Sequence, residues 1–362
     1  MQNRWQTLKM KNKILRLILS LTILSNINAQ TKNTDLLGSW IQIKTEMKDS
    51  SELIPVYKDY IKHFDMTFEK KKYHTNYYPA QKFKNATNNY KLKKNKIVAS
   101  KHYALEIEKL TRDSLVIVEQ MKGLDDDKLK RHYLIKKERI FSEQKAIYQG
   151  LNKITANPYY TPLFIDNIQL YLSRGLNKSH TNLNLKGVIK IYPKNKDIKT
   201  VITFSDKKGL YQENIIVDLL NNSYPSWDLK HFENYDEINI EFVILIHRKG
   251  KNSYGLKIGL LTNSFNQLKG LYGLTYTQIT DGNKYLKSGI DYYNAKDYKN
   301  AIKDFTKSFE SNHTLVDALY NRAICYYENK QYLKACLDWK TLSDLGQKRA
   351  QKLFEENCEL KR

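Results

Sequence analysis

Residues 282–310, GNKYLKSGIDYYNAKDYKNAIKDFTKSFE, and residues 316–344, VDALYNRAICYYENKQYLKACLDWKTLSD, are one unit written twice. At an offset of 34 residues, seven of the 29 aligned positions are identical: Ile290/Ile324, Tyr292/Tyr326, Tyr293/Tyr327, Lys296/Lys330, Tyr298/Tyr332, Ala301/Ala335 and Asp304/Asp338. Chance would give about two. Within a copy the apolar residues recur at helical spacing, as in Tyr298, Ile302, Phe305 and Phe309, which marks amphipathic helices with one buried face. Small residues stand where two such helices would cross: Gly289 and Ala323 on the first helix of each copy, Ala301 and Ala335 on the second. Each copy therefore reads as a helical hairpin.

The period and these positions resemble the tetratricopeptide repeat (TPR). The resemblance implies that Tyr292 and Tyr326 pack their hairpins, while Phe305 and Trp339 fill the groove toward the next unit. Two positions depart from the family pattern: His313 stands where Pro is frequent, and Ser308 where Ala is. The family lines its inner face with the first helix of each hairpin. That implies a partner-binding row of Asn283, Leu286, Ile290, Tyr293 and Asn294, continued by Asp317, Tyr320, Ile324, Tyr327 and Glu328. Rings supply contact area and amides and carboxylates supply orientation, a mixture suited to a peptide or helix of another protein. The alternative is that the row packs on a neighbouring domain.

Residues 348–358 carry Ala350, Leu353 and Phe354 on one helical face and would cap the second hairpin, giving a helical region over 282–358. Cys336 falls on the second helix of its hairpin and Cys358 at the end of the cap, so a bridge between them would staple the cap down. Cys325, beside Tyr326, reads as a buried thiol. Three free thiols are the alternative.

Before the repeats, residues 163–247 read as a helix at 166–174, strands at 188–192 and 198–204, a helix at 210–221 and a strand at 238–246. This αββαβ order, with Gly187, Val188 and Ile189 in the first strand and Pro225-Ser226-Trp227 before the last, is similar to the C-terminal domain of TonB-type energy transducers. The resemblance implies a domain over 156–262 holding a small sheet with an edge able to pair with a partner's strand. The proline-rich spacer of that family has no counterpart in a chain with six prolines.

Residues 35–140 alternate apolar and polar residues in short runs: 66–73, 90–92, 97–99, 132–135, and Leu105/Ile107 against Leu115/Ile117 across the 111–114 turn. The opening Leu36-Leu37-Gly38-Ser39-Trp40 and the run 103–110 resemble the lipocalins. The resemblance implies an antiparallel β barrel or meander with Trp40 at its base and a mouth for a small apolar ligand. Trp40 also reads as a plain core plug. A second possibility is a polyanion or glycan surface at 70–96, where nine Lys are interleaved with Tyr73, Tyr77, Tyr78, Phe83 and Tyr90. Strand alternation would place those Lys on a solvated face in any case.

The chain has 362 residues, enough for two or three domains, and a formal charge of +23. Of its 61 basic residues only 10 are Arg, the side chain that forks onto phosphate, so no nucleic-acid partner is expected. At the N-terminus Lys9, Lys11, Lys13 and Arg16 precede the apolar run 17–24 and the small residue Ala29. That pattern reads as a signal peptide over 1–29, with the run too short to span a bilayer and no transmembrane segment left after cleavage. The eight His are scattered, and no nucleophile elbow, phosphate-cradling glycine loop or metal-ligand spacing occurs. No cofactor, metal or catalytic residue is expected.

The expectation is a multidomain α+β protein: an N-terminal β barrel or meander, a middle αββαβ domain and C-terminal TPR hairpins. It would be exported to the periplasm or cell surface and act as a non-catalytic scaffold for an envelope protein or peptide. Small apolar ligand or polyanion/glycan binding by the N-terminal domain is the alternative.

Overall fold

The structure is a computed structural model that describes residues 33–57, 62–82, 86–176, 181–207, 209, 211–248 and 254–358. The expected signal peptide, 1–29, and Phe83 of the basic run lie outside the described residues.

A short helix α1 (Asn33–Leu36) precedes nine strands: β1 (Gly38–Met47), β2 (Asp65–Phe68), β3 (Lys72–Asn76), β4 (Ala86–Asn89), β5 (Lys91–Lys93), β6 (Lys96–Val98), β7 (Tyr103–Leu110), β8 (Ser114–Met121) and β9 (Lys130–Lys136). The strands pair in the order β4-β3-β2-β1-β9-β8-β7-β6-β5, antiparallel throughout. The sheet is a nearly closed barrel because β4 and β5, its two ends, are halves of one run interrupted at Tyr90. The first half pairs with β3 and the second with β6. Tyr90 fixes the break, its backbone N–H donating to the Lys71 carbonyl and its hydroxyl to that of Glu69, both at 2.9 Å.

Alternate residues point inward and fill the barrel: Trp40, Phe68, Tyr73, Ile97, Ile117 and Leu134 are all buried. Its centre is a packed core, not an open calyx. Trp40 donates its indole N–H to the Leu36 carbonyl at 2.8 Å and carries the Lys136 ammonium 4.1 Å above its ring. The run 66–73, expected as one strand, is a hairpin, since Glu69 N–H bonds back to the Lys72 carbonyl at 2.7 Å and turns the chain.

A helix that the strand pattern did not announce, α2 (Lys137–Ile147), follows β9 and leads to β10 (Lys153–Thr155) and β11 (Leu163–Phe164). The chain continues through α3 (Ile168–Gly175), β12 (Leu183–Tyr192), β13 (Asp197–Ser205), α4 (Tyr211–Asn221), β14 (Trp227–Asp228), β15 (Glu237–Arg248), β16 (Tyr254–Leu260) and α5 (Phe265–Tyr272). In the main sheet of this region β12 lies between β13 and β15, and β10 and β16 share the far side of β15 end to end. Strand β12 buries every second residue, and one of these is Gly187 for a steric reason. A Cβ there would stand 2.6 Å from both the Phe242 ring and the Val201 carbonyl oxygen.

The remaining chain is helical: α6 (Tyr276–Asn294), α7 (Tyr298–Ser311), α8 (Val316–Glu328), α9 (Tyr332–Asp344) and α10 (Lys348–Asn357). Helix α6 starts ahead of the repeat boundary because Thr275 and Gln278 form a capping box. The two hairpins repeat in contact as well as in sequence. Lys296 and Lys330 take left-handed φ values of 60° and 57° at the inter-helix turn, and the ring pairs Tyr293/Tyr298 and Tyr327/Tyr332 follow at 6.0 and 5.1 Å. Cys336 and Cys358 are joined in a disulfide that ties α10 to α9, and Cys325 is free and buried.

Both later regions grip the barrel. The β3–β4 loop meets β11, with Phe164 N–H donating to the Ala80 carbonyl at 2.8 Å and Lys82 N–H to the Phe164 carbonyl at 2.9 Å. The β1–β2 loop lies on the helices: Lys348 N–H donates to Ser51 Oγ at 3.0 Å, and Gln347 Nε2 to the Glu52 carbonyl at 2.9 Å.

Candidate functional site

The row expected to line a TPR groove divides in two. Asn283, Ile290, Asn294, Tyr327 and Glu328 are exposed. Leu286 and Tyr293 pack against Ala301, Phe305 and Cys325, and Ile324 is half-buried. Tyr320 is buried and accepts from the Ala350 N–H at 3.1 Å, so it holds the cap in place of a partner; burial pushes its hydroxyl up to about 12. Asp317 pairs with Lys128 of the barrel at 2.6 Å.

Of the residues expected to pack the hairpins, Gly289, Ala301, Phe305, Ala323, Ala335 and Trp339 are buried and Tyr326 half-buried. Tyr292 differs: it is 39% exposed, while the nearby Gly289 sits on the Phe305 ring of α7, where an added Cβ would stand 2.6 Å away.

The Asp317 contact borders a cavity between the barrel and the helices. It measures about 620 Å³ and is walled by three segments distant in sequence: the barrel mouth, the β1–β2 loop and the 314–317 turn that opens α8. Apolar wall comes from Ile54, Pro55 and Val56 on the loop, Leu315 and Val316 on the turn, and Phe64 at the mouth. The loop is held there by His313, whose Nε2 donates to the Pro55 carbonyl at 3.2 Å, and by Glu52 N–H donating to the Gly346 carbonyl at 3.1 Å.

The polar wall is built on β1, β8 and β9, where alternation brings Thr45, Glu119 and His132 to one face above the apolar interior. Thr45 Oγ1 lies 3.0 Å from His132 Nδ1, and His132 Nε2 lies 3.9 Å from Glu119. The Lys130 N–H donates to Glu119 at 3.0 Å, and the Phe64 ring edges His132 at 5.2 Å. Burial pushes the Glu119 carboxyl up, but its contacts with His132 and Lys130 outweigh burial and hold it below the usual carboxylate range.

Lys62 completes this wall. Its ammonium stands 4.8 Å over the Tyr77 ring. Burial and then Lys130 lower it from its ordinary value, with Glu119 opposing them. Its surface faces the cavity, so it is exposed by area while protein surrounds it at longer range. Neighbouring His63 packs edge-on to Tyr159 at 5.7 Å, and burial pushes its imidazole down to about 4. His63 also borders another cavity, of about 420 Å³, between the barrel and the α5 region.

Of the residues around this cavity the sequence reading names Asp317, which it gives to a repeat groove, and nearby Tyr77, which it takes for part of a surface. One local signal was available: Lys130, His132 and Leu134 alternate through 130–134, a period that puts basic groups and a core leucine on one face of a strand. Among the described residues no three His, Cys, Asp or Glu are grouped to hold a metal ion, and no helix is long and apolar enough to cross a membrane. No protein-family model matches this chain, and no curated protein is significantly similar to it.

Proposed function

We propose that the chain is a non-catalytic binding protein whose ligand occupies the cavity at the barrel mouth, beneath a roof of helical hairpins. The observation that carries this is the cavity itself. At about 620 Å³ it falls in the size range of small-molecule sites, roughly 300–1,000 Å³, and it joins an apolar wall to a few convergent polar groups as such sites do. The up-and-down strand order supports a lipocalin-like barrel that has moved its binding space from interior to mouth. The recurrence of turns, ring pairs and buried small residues at an offset of 34 residues supports a TPR-type roof, and the β12–β13–β15 sheet with α3 and α4 supports the TonB-like comparison at the level of a small α+β layer. Export to the periplasm or cell surface rests on the sequence pattern of 1–29.

The test uses Nile red, a neutral apolar dye, with the full chain and the cavity-filling variant Leu315→Trp. Dye fluorescence should rise with the parent chain and stay low with the variant. Equal fluorescence of the two would defeat the reading.

Protein docking on the outer surface of the hairpins is a second reading, favoured by apolar residues left uncovered on α9: Leu333 is 84% and Leu337 66% exposed. Here Leu333→Glu and Tyr327→Glu should remove an envelope partner from affinity capture without lowering the melting temperature.

A further inference from the structure

Four lysines reach the mouth cavity, and they are not equivalent. Lys44 is paired with Glu46 at 2.5 Å. Lys128 is paired with Asp317 at 2.6 Å and with Asp127 at 3.5 Å. Lys62 and Lys130 make no side-chain ion pair among the described residues; both line the same cavity, and the charge of Lys130 disfavours that of Lys62. The carboxylate that serves both is Glu119, which is already engaged by His132 and by the Lys130 backbone. Two ammonium groups against one shared carboxylate leave an excess of positive charge on the cavity wall. Like charges held together in such surroundings cost free energy that a bound anion would recover.

The opposite wall states what the rest of the ligand must be. Ile54, Pro55, Val56, Leu315 and Val316 offer no donor or acceptor side chain, so a wholly polar anion would strip its own hydration against them without compensation. A polyanion chain would not fit a space of about 620 Å³.

We infer that the mouth cavity takes an anionic amphiphile, with its carboxylate or phosphate head at Lys62 and Lys130 and its apolar body against the 53–56 loop and the 314–317 turn. The inference rests on the cavity reading above and adds to it the sign of the head group. The Tyr77 ring stands 4.8 Å from the Lys62 ammonium and supports that charge from one side, and Lys44 and Lys128 are neutralised by their own partners.

The experiment is isothermal titration of the full chain with decanoate, decyl phosphate, decanol and decyltrimethylammonium, repeated on Lys62→Met, Lys130→Met and Leu315→Trp. Lys62→Gln is carried as a second form of the first variant, and melting temperatures confirm that each is folded. Decanoate or decyl phosphate should bind more tightly than the other two, and the tighter of the pair identifies the head group. Each lysine substitution should weaken that anion roughly tenfold or more, the loss expected for one charge-assisted hydrogen bond, while leaving decanol unchanged. Decanol or the ammonium compound binding as tightly as decanoate would overturn the inference. So would undiminished decanoate binding in both folded Lys62 variants. In either case Nile red rejection by Leu315→Trp would still stand for the cavity. Leu315→Trp binding every compound like the parent would remove the cavity reading and this inference together.

Discussion

Arg322 grips both carboxylate oxygens of Asp338, at 2.8 and 2.7 Å. Its third nitrogen donates to Thr306 Oγ1 at 3.0 Å, so one guanidinium ties α8 to α9 and to α7. One repeat earlier the same two positions are Ser288 and Asp304, joined at 2.6 Å. The first hairpin uses a single neutral donor where the second uses a fork. Arg322→Ala strands the Asp338 carboxylate, and chemical denaturation should show a loss of about 3 kcal/mol. That is the low end for breaking a buried pair, because the Arg322 side chain keeps 20% of its surface exposed.

Gly289 faces Phe305 so closely that a Cβ would stand 2.6 Å from the ring, whereas Ala323 occupies the equivalent position of the second hairpin. Gly289→Ala should therefore destabilise the first hairpin by about 1–3 kcal/mol through overpacking, against the gain that alanine usually brings to a helix. Hydrogen exchange in Tyr276–Asn294 would record it.

The disulfide closes a sequence separation of 22 residues, for which loop entropy gives about 3 kcal/mol. Cys336→Ser with Cys358→Ser should raise amide exchange in Lys348–Asn357 first, since the bridge ties the far end of α10 to α9 while the Tyr320 contact at Ala350 holds only its start. Burial pushes the Cys325 thiol up to about 11, so iodoacetamide near neutral pH should modify it after unfolding and leave the native chain untouched.

His63 makes acid an unfolding agent. Its imidazole is held near 4 in the folded chain, against about 6.5 when unfolded. Between those values the unfolded state binds the extra proton, so stability rises with pH and falls as pH drops from about 6.5 toward 4, with no further loss from this group below it. His63→Phe should flatten the melting temperature through that window, relative to the parent.

The parts of this fold that could be read from sequence are those set by neighbours in the chain. The helical hairpins show because Gly289, Ala301, Tyr293 and their counterparts recur at a fixed interval. The pairing of Leu105 and Ile107 with Leu115 and Ile117 shows because one short turn brings them together, and their register is Leu105 to Glu119 and Ile107 to Ile117 across β7 and β8. Helix α2 was passed over because its amphipathic spacing, Ile140 to Gln144, is brief and follows directly on a strand. The cavity was invisible for a different reason. Lys62 resembles every other lysine in a lysine-rich chain, and what sets it apart is the company of Lys130, Tyr77 and Leu315, which only the tertiary fold supplies. Tyr320 illustrates the converse: its place in the repeat gave it to a groove, and the cap, through the Ala350 N–H, took it instead.

The hydrogen bond from Lys348 to Ser51 spans 297 residues of chain. Contacts of such high order close late, because the loop entropy they cost is repaid only after the intervening elements have formed. During synthesis the barrel strands emerge first, and the mouth stays unroofed until the last hairpin has folded back over it. On the proposed reading ligand capture would wait for that step, and a chain truncated before Thr314 would carry a barrel that is nearly closed around its core yet open above it.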